Sequence, residues 1–335
     1  MINWKSLFNS DIAEWLLEEN NPSVRYYTLV DLFEKDIKAK DVKETKENIM
    51  LEGNVPKILN KQKEGGYWVD QENFYVNTKY KGTVWSLIVL AELNADGKDN
   101  RINQTCEYIL KISQDRKSGG FSHRGNLNEG GSHDHIIPCL TGNMIWALIR
   151  FGFLEDPRVK QGIDWILKYQ RLDDGIERAP QEWPYERYKN CWGKHTCHMG
   201  VIKNLKALAE IPPKKRTAGI NNFIDKAAEY VLNHRIYKQS HNLNEVAKQE
   251  WTQFGFPLMW KIDALEVLDI LTKLGYHDDR MQDAIDLVVS KQEKNGRWIL
   301  EKTFNGRVQV NIEQKDKESK WITLLALKVL KRFYS

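Results

Sequence analysis

The chain has 335 residues, 41% of them hydrophobic, with 12 Trp, 13 Tyr and 11 Phe, which is enough apolar surface for a sizeable core. Fifty basic residues against 46 acidic ones leave a net charge of +4 without a basic stripe, so nucleic acid is excluded as a partner. The start, Met1-Ile2-Asn3-Trp4-Lys5, has no signal-peptide pattern, and apolar runs such as Trp85 to Leu93 are too short to span a bilayer. A cytoplasmic protein with at most peripheral membrane contact is expected.

In chain order, the residues before Pro22 are expected to be peripheral. Pro22-Ser23-Val24-Arg25-Tyr26-Tyr27 to Leu32 then reads as half of a helical unit. A repeat governs the rest. Ile58-Leu59-Asn60-Lys61-Gln62 precedes Gly65-Gly66-Tyr67-Trp68, and Tyr108-Ile109-Leu110-Lys111 precedes Gln114 and Gly119-Gly120-Phe121. Trp165 to Gln170 precedes Asp174-Gly175-Ile176. A degenerate copy runs from Tyr230 to Arg235, and Leu287 to Gln292 precedes Gly296-Arg297-Trp298. Gln62, Gln114, Gln170, Arg235 and Gln292 are 52, 56, 65 and 57 residues apart. Each copy reads as a helix ended by a turn, with glycine supplying the positive φ that helix ends often need.

A second helix is expected after each turn, over Thr83 to Leu93, Thr141 to Phe151, Thr196 to Ile211, Lys261 to Leu274 and Ser319 to Phe333. These segments are apolar on more than one face, as buried helices are, whereas the first helices carry more charge. The pattern predicts an all-α single domain over 1–335. Five to six hairpins would close into an (α/α) toroid, apolar helices inside and amphipathic ones outside. An open solenoid is the alternative, though solenoid repeats are more often shorter than about 50 residues.

The motif Gln292-x-x-x-Gly296-x-Trp298, degenerate at Gln62, Gln114 and Gln170, resembles the QW repeat motif of squalene cyclases. From about residue 22 onward the chain resembles the terpenoid cyclase and protein prenyltransferase superfamily. That resemblance implies a transferase or cyclase that holds an isoprenoid or other hydrophobic substrate in the toroid lumen. The Asp-x-Asp-Asp acid of class II terpene cyclases is missing. Asp173-Asp174 and Asp278-Asp279 read instead as solvated turn residues. A Gly-rich phosphate loop and a nucleophile elbow are missing too.

Helix N-termini offer free N–H groups and partial positive charge, so chemistry is expected where inner helices begin. Two such starts are rich in reactive groups: Gly131-Ser132-His133-Asp134-His135-Ile136-Ile137-Pro138-Cys139 and Asn190-Cys191-Trp192-Gly193-Lys194-His195-Thr196-Cys197-His198. Cys139 and Cys197 are 58 residues apart, one repeat, and should meet. Thiolate and imidazole suit zinc, so Cys139, Cys191, His195, Cys197 and His198 are the candidate ligands. Protein prenyltransferases hold zinc with an aspartate and a cysteine from one hairpin and a histidine from another. By that resemblance Cys139 takes the cysteine position and His195-Thr196-Cys197 the histidine stretch. Ile137 stands where the aspartate would be, which leaves Asp134 or His135 as substitutes. Lantibiotic cyclases bind zinc through one cysteine and a Cys-His pair, which Cys139 with Cys197-His198 and Gly200 resembles. Plain core packing is the alternative for Cys139 and Cys197, and the expected role of Cys106.

His195, Asp134 and His135 are the candidate acid/base groups. Trp85, Trp192, Phe254 and Trp260, with Tyr80, Trp251, Phe256 and Trp321, are candidates to line an aromatic cavity that stabilises carbocations or holds an isoprenoid, with core packing as the alternative. Lys194 and Lys320, with Lys79, Lys81, Lys261, Arg187 and Arg307, are candidate cations for a diphosphate. Two rivals stand against an isoprenoid enzyme. One is a non-catalytic toroid that carries a lipid or peptide, with a structural zinc or no metal. The other is a carbohydrate-active barrel working through Glu245, Glu250 or Asp263.

Overall fold

The structure is a computed structural model that describes residues 8, 10–175, 177–193 and 195–335. It is helix-rich. In chain order the helices are α1 (Ser10–Leu16), α2 (Pro22–Tyr27, continued by a π-helical turn, Thr28–Leu32), α3 (Lys40–Leu51), α4 (Asn54–Leu59), α5 (Thr83–Glu92), α6 (Asn100–Ile112) and α7 (Pro138–Arg150). Then come α8 (Pro157–Tyr169), α9 (Lys189–Trp192), α10 (His198–Ala209), α11 (Ala218–Asn233), α12 (Ala264–Lys273), α13 (Gln282–Ser290) and α14 (Lys320–Tyr334). Strands among the described residues are confined to two small antiparallel hairpins, 125–131 and 238–246. No helix of the described residues is long and apolar enough to cross a membrane.

Side-chain caps set the starts of the amphipathic helices. Asp99 accepts the Arg101 N–H, Asp156 that of Arg158, Thr217 that of Ile220, and Asp278 that of Arg280 before α13. The recurrent Asp-x-Arg has a second use. Arg158 forks onto Glu107 of α6 at 2.8 and 2.9 Å, and Arg280 onto Glu229 of α11 at 2.8 and 2.9 Å, so α8 is tied to α6 and the start of α13 to α11. Asp278, expected merely to solvate a turn, is thus a cap and an ion-pair partner.

The repeat motif works through three bonds. The Gln62 amide donates to the carbonyl of Arg101 and the Gln114 amide to that of Arg158, each reaching the next amphipathic helix. Trp68 donates its indole N–H to Ile58 at 2.9 Å, and Trp298 to Val288 at 2.7 Å, folding the turn back on its own helix. The backbone N–H groups of Trp68, Phe121 and Trp298 donate to Thr83, Thr141 and Thr323 in the first turns of α5, α7 and α14. Glycine is needed for this packing. Gly66 has φ +85°, and a Cβ there would lie 2.7 Å from the Gln104 carbonyl carbon.

The helices α5, α7, α10, α12 and α14 are almost wholly buried. In space α7 packs on α5 and α10, α10 on α12, α12 on α14, and α14 on α2 and its π turn. Ser23 of α2 donates to the Leu93 carbonyl just beyond α5 at 2.7 Å. The buried hydrophobic residues form one cluster from Ile12 to Phe333. The residues before Pro22, expected to be peripheral, contribute Ile12 and Leu16 to it, because α1 packs on α14.

Between these helices lies a cavity of about 190 Å³. Its lining is charged. Glu266, one of the lining residues, is bonded at both oxygens, at 2.7 and 2.8 Å, by Lys203, which is 1% exposed and outside the lining. Lys206 joins Glu92 at 2.6 Å and Glu266 at 3.0 Å. Arg150 meets Glu210 at 3.3 Å, the Ala91 carbonyl at 3.1 Å and the Tyr27 hydroxyl. Lys328 meets Asp31 at 2.8 Å, and Arg332 meets Asp269 at 2.9 Å. Asp263 caps α12 with one oxygen on the Glu266 N–H, and burial raises its carboxyl to about 7.

Removing one partner from such a pair strands a buried charge. Lys203→Met or Glu266→Gln is expected to cost about 3–5 kcal/mol in urea unfolding, with the double variant recovering part of the loss. Single losses below about 1 kcal/mol would show that the pair is solvated.

Candidate functional site

The reactive groups gather where α7 and α10 begin. Pro138 opens α7, its missing N–H costing nothing at that position, and places Cys139 buried in the first turn. Cys197 is the N-cap residue of α10. Its backbone N–H reaches back to the Cys191 carbonyl at 3.3 Å, which brings α9 against the same helix start. The three thiols are unequal. Hydrogen bonding from the Cys191 thiol, helped by the Met199 and Gly200 N–H groups, holds Cys197 down to about 6 against its partial burial. The same contact, with burial, pushes Cys191 well above the usual thiol range. Burial, then the nearby Cys197, pushes Cys139 up to about 12.

On one side of the thiols a pocket of about 530 Å³ is lined by Tyr75, His123, Ile137, Tyr188 and Cys191. His123 Nε2 lies 2.8 Å from the Tyr188 hydroxyl, and burial lowers this imidazole to about 4. His135 is bound by Ser132 at 2.8 Å, and burial lowers it as well. His133 stacks on Trp183 with ring centroids 3.9 Å apart and pairs with Asp115 at 2.8 Å. Asp134 is turned to Arg187 at 3.2 Å.

On the other side a pocket of about 500 Å³ is lined by Asp174, His195, Cys197, His198, His234 and His241, among others. His198 stacks on Trp251 at 4.6 Å, and its Nδ1 lies 3.4 Å from the Tyr230 hydroxyl. Burial lowers it to about 3, and its buried Nε2 has no hydrogen-bond partner. His195 is exposed, with Nδ1 3.9 Å from Asp174. The five candidate ligands therefore divide. Cys139, Cys191 and Cys197 are brought together, while His195 and His198 belong to the second pocket. Among the described residues no three His, Cys, Asp or Glu side chains are already set around a common metal position.

The aromatic candidates divide too. Tyr75, whose phenol is raised by burial and then by Cys139, packs against Trp85 with centroids 4.6 Å apart. Trp85 meets Tyr80 at 4.9 Å, Tyr80 meets Phe304 at 4.3 Å, and Trp260 donates to the Tyr80 hydroxyl at 3.0 Å. Three of the predicted cations sit on this run. Arg307 lies 4.7 Å from the Tyr80 ring centre, and Lys79 and Lys261 lie 5.6 and 5.8 Å from that of Trp260. A continuous aromatic wall thus links the thiols to a cationic patch.

The remaining substrate candidates lie elsewhere. Trp192 packs on Trp165 and Tyr185, and Lys291 covers Phe254. Lys320 is held by Glu18 at 2.7 Å, and Lys194 lies outside the described residues. Trp85, Trp192, Phe254, Trp260 and Lys320 do not line the cavity between the helices; of the candidate aromatics named from sequence only Phe256 and Trp321 do, stacked at 4.2 Å. Glu245 is exposed on the 238–246 hairpin, and Glu250 pairs with Lys261 at 3.1 Å. His123, Tyr75, Asp174, His234 and His241 were missed as site residues. Asp174 read as a turn residue, but His234 stands in the one copy of the repeat that lost its Gln, a signal that could have drawn attention to it.

No protein-family model matches the sequence, and no curated protein does. Among solved structures, a protein from Actinoplanes is similar at 12% identity, over 99% of this chain and 100% of that one, with a TM-score of 0.48. The type II terpene cyclase MstE from Scytonema, without ligand, is similar at 13% identity, over 93% of this chain and 87% of its own, with a TM-score of 0.43. A variant of that cyclase in complex with geranylgeranyl dihydroxybenzoate, its substrate, shows 13% identity and a TM-score of 0.30, over 86% and 96% of the two chains.

The thiolate is the species that alkylates, so the order of the thiols is measurable. Cys197 should react with iodoacetamide first, its rate rising through about pH 6 to a plateau, while Cys139 and Cys106 stay unmodified in the folded protein. A Cys197 midpoint at the ordinary thiol value of about 8.5 would contradict the arrangement.

Proposed function

We propose that the chain is a prenyltransferase- or terpenoid-cyclase-like enzyme built as an (α/α) toroid, acting on an isoprenoid or similarly hydrophobic substrate. What supports the ring is the sequence of packed helices from α5 to α14 and back to α2. The single observation that carries the functional reading is the aromatic run Tyr75–Trp85–Tyr80–Trp260, with thiols at one end and Lys79, Lys261 and Arg307 at the other. A diphosphate would be held by the cations, and the rings would lie along the prenyl chain and face developing positive charge. Cys197, the most acidic thiol, would be the nucleophile or a metal ligand. The interior cavity is a poor place for a prenyl chain, because Arg150, Lys206, Glu210 and Glu266 line it. The substrate is accordingly assigned to the wall at the N-terminal ends of the inner helices rather than to the lumen.

A second reading is a non-catalytic toroid that carries a lipid or peptide, with zinc on Cys139, Cys191 and Cys197 as a structural clip. It is favoured by the burial of Trp85, Tyr80 and Tyr75, which leaves the wall closed. The thiols lie together but short of a complete ligand set, so no step is assigned to a metal.

Farnesyl diphosphate binding, followed by tryptophan fluorescence, separates the readings. Each charge-assisted contact contributes about 1.5–3 kcal/mol, so Lys79→Ala with Arg307→Ala should weaken binding by about 100-fold. Cys197→Ser should leave binding intact and abolish turnover with thiol or isoprenoid acceptors. Binding that is unchanged in the double variant would sink the proposed diphosphate patch.

A further inference from the structure

Cys191 and Cys197, both free thiols, are six residues apart in sequence and meet through backbone and side chain alike. The Cys197 N–H donates to the Cys191 carbonyl at 3.3 Å, and the Cys191 thiol donates to the Cys197 sulfur. Two sulfurs held in this way have only to close from hydrogen-bond distance to about 2.05 Å to become a disulfide.

The pair also differs from the other cysteines in access. Cys106 is fully buried in α6, and Cys139 is buried in the first turn of α7. Cys191 and Cys197 are only half-buried, and each lines a pocket, Cys191 the one beside His123 and Cys197 the one beside Asp174. A small solute therefore reaches the pair from either side. The two sulfurs are not equivalent. Cys197 accepts from Cys191 and from the Met199 and Gly200 N–H groups at the start of α10, while Cys191 supplies the proton. One sulfur is set up to attack and the other to resolve. Cys139 lies near Cys197 as well, but Cys191 is the thiol that bonds it.

We propose that Cys191 and Cys197 form a redox switch that hydrogen peroxide, or an organic hydroperoxide, closes reversibly into a disulfide. The Cys197 thiolate attacks one peroxide oxygen, the O–O bond breaks, and the departing hydroxide takes up a proton as water. The Cys191 sulfur then attacks the sulfenic acid at Cys197, the S–O bond breaks, and hydroxide leaves as water with the Cys191 proton. The two sulfurs lose two electrons and the peroxide gains them. The disulfide clamps α9 to the start of α10, between the two pockets, and withdraws Cys197 as a nucleophile or metal ligand. The switch is independent of the isoprenoid reading, because it needs only the two sulfurs and the oxidant.

The test exposes the full chain, both as purified and after EDTA treatment with desalting, to a few equivalents of hydrogen peroxide. Intact mass and non-reducing peptide mapping follow the sulfurs. The expected result is a loss of about 2 Da, for two hydrogens, with one cross-link between Cys191 and Cys197 that dithiothreitol reverses. Closure confined to the EDTA-treated protein would support the same pair, guarded by a bound metal. Cys191→Ser should instead accumulate a Cys197 sulfenic acid that dimedone traps. Absence of the mass loss in both preparations would overturn the proposal. So would a cross-link that maps to Cys139, or a sulfenic or sulfinic acid that persists on Cys197 in the unaltered chain.

Discussion

Buried charge at the centre of the molecule constrains everything around it. Lys203, Lys206 and Glu266, with Glu92, Arg150, Glu210, Asp269 and Arg332, link α5, α7, α10, α12 and α14 through paired groups. A buried charge without its partner costs several kcal/mol, so a slip of one helix by a turn would strand several charges at once. Such pairs add little net stability over apolar packing, but they discriminate strongly between registers. One register brings the first turns of α7 and α10 level, and Cys139 and Cys197 meet there. The same charges make the interior unfit for an alkyl chain, which directs attention to the ends of the helices.

The ends differ for a physical reason. At the start of α10 unpaired backbone N–H groups favour a thiolate, and Cys197 occupies the N-cap position where they act. The hydrogen bond from Cys191 lowers it most, and Cys191 is itself held protonated, so one cluster contains both an acidic and a basic thiol. At least six of the eight histidines lie near this end: His123, His135, His195, His198, His234 and His241 line or adjoin the two pockets, whereas His277 stacks on Phe333. Chemistry and packing are therefore segregated along the helix axes.

Much of the fold was legible because the repeat is a set of physical contacts. The predicted second helices match α5, α7, α10, α12 and α14 within a few residues, since all but α12 begin after a turn that carries the Gln and Gly of the repeat. The meeting of Cys139 with Cys197 was legible for the same reason, being one repeat apart. The buried ion pairs were not, because lysines at 203 and 206 inside an apolar helix read as ordinary surface charge until the helix is known to be buried all round. The Asp174 cluster was not legible either. His195, Asp174, His234 and His241 are distant in sequence and follow no motif, and only the packing of α11 and the 238–246 hairpin against the turn after α8 joins them.

The central claim is that ligand engages the aromatic wall at the helix N-termini and leaves the charged interior alone. A photoreactive farnesyl diphosphate analogue, cross-linked to the intact chain and mapped by peptide mass spectrometry, tests it most directly. The account predicts adducts on the segments that carry Tyr75 to Trp85, Trp260 and Phe304 to Arg307. Adducts on Trp146, Arg150 or the Leu324 to Lys328 face of α14, which line the interior, would contradict it.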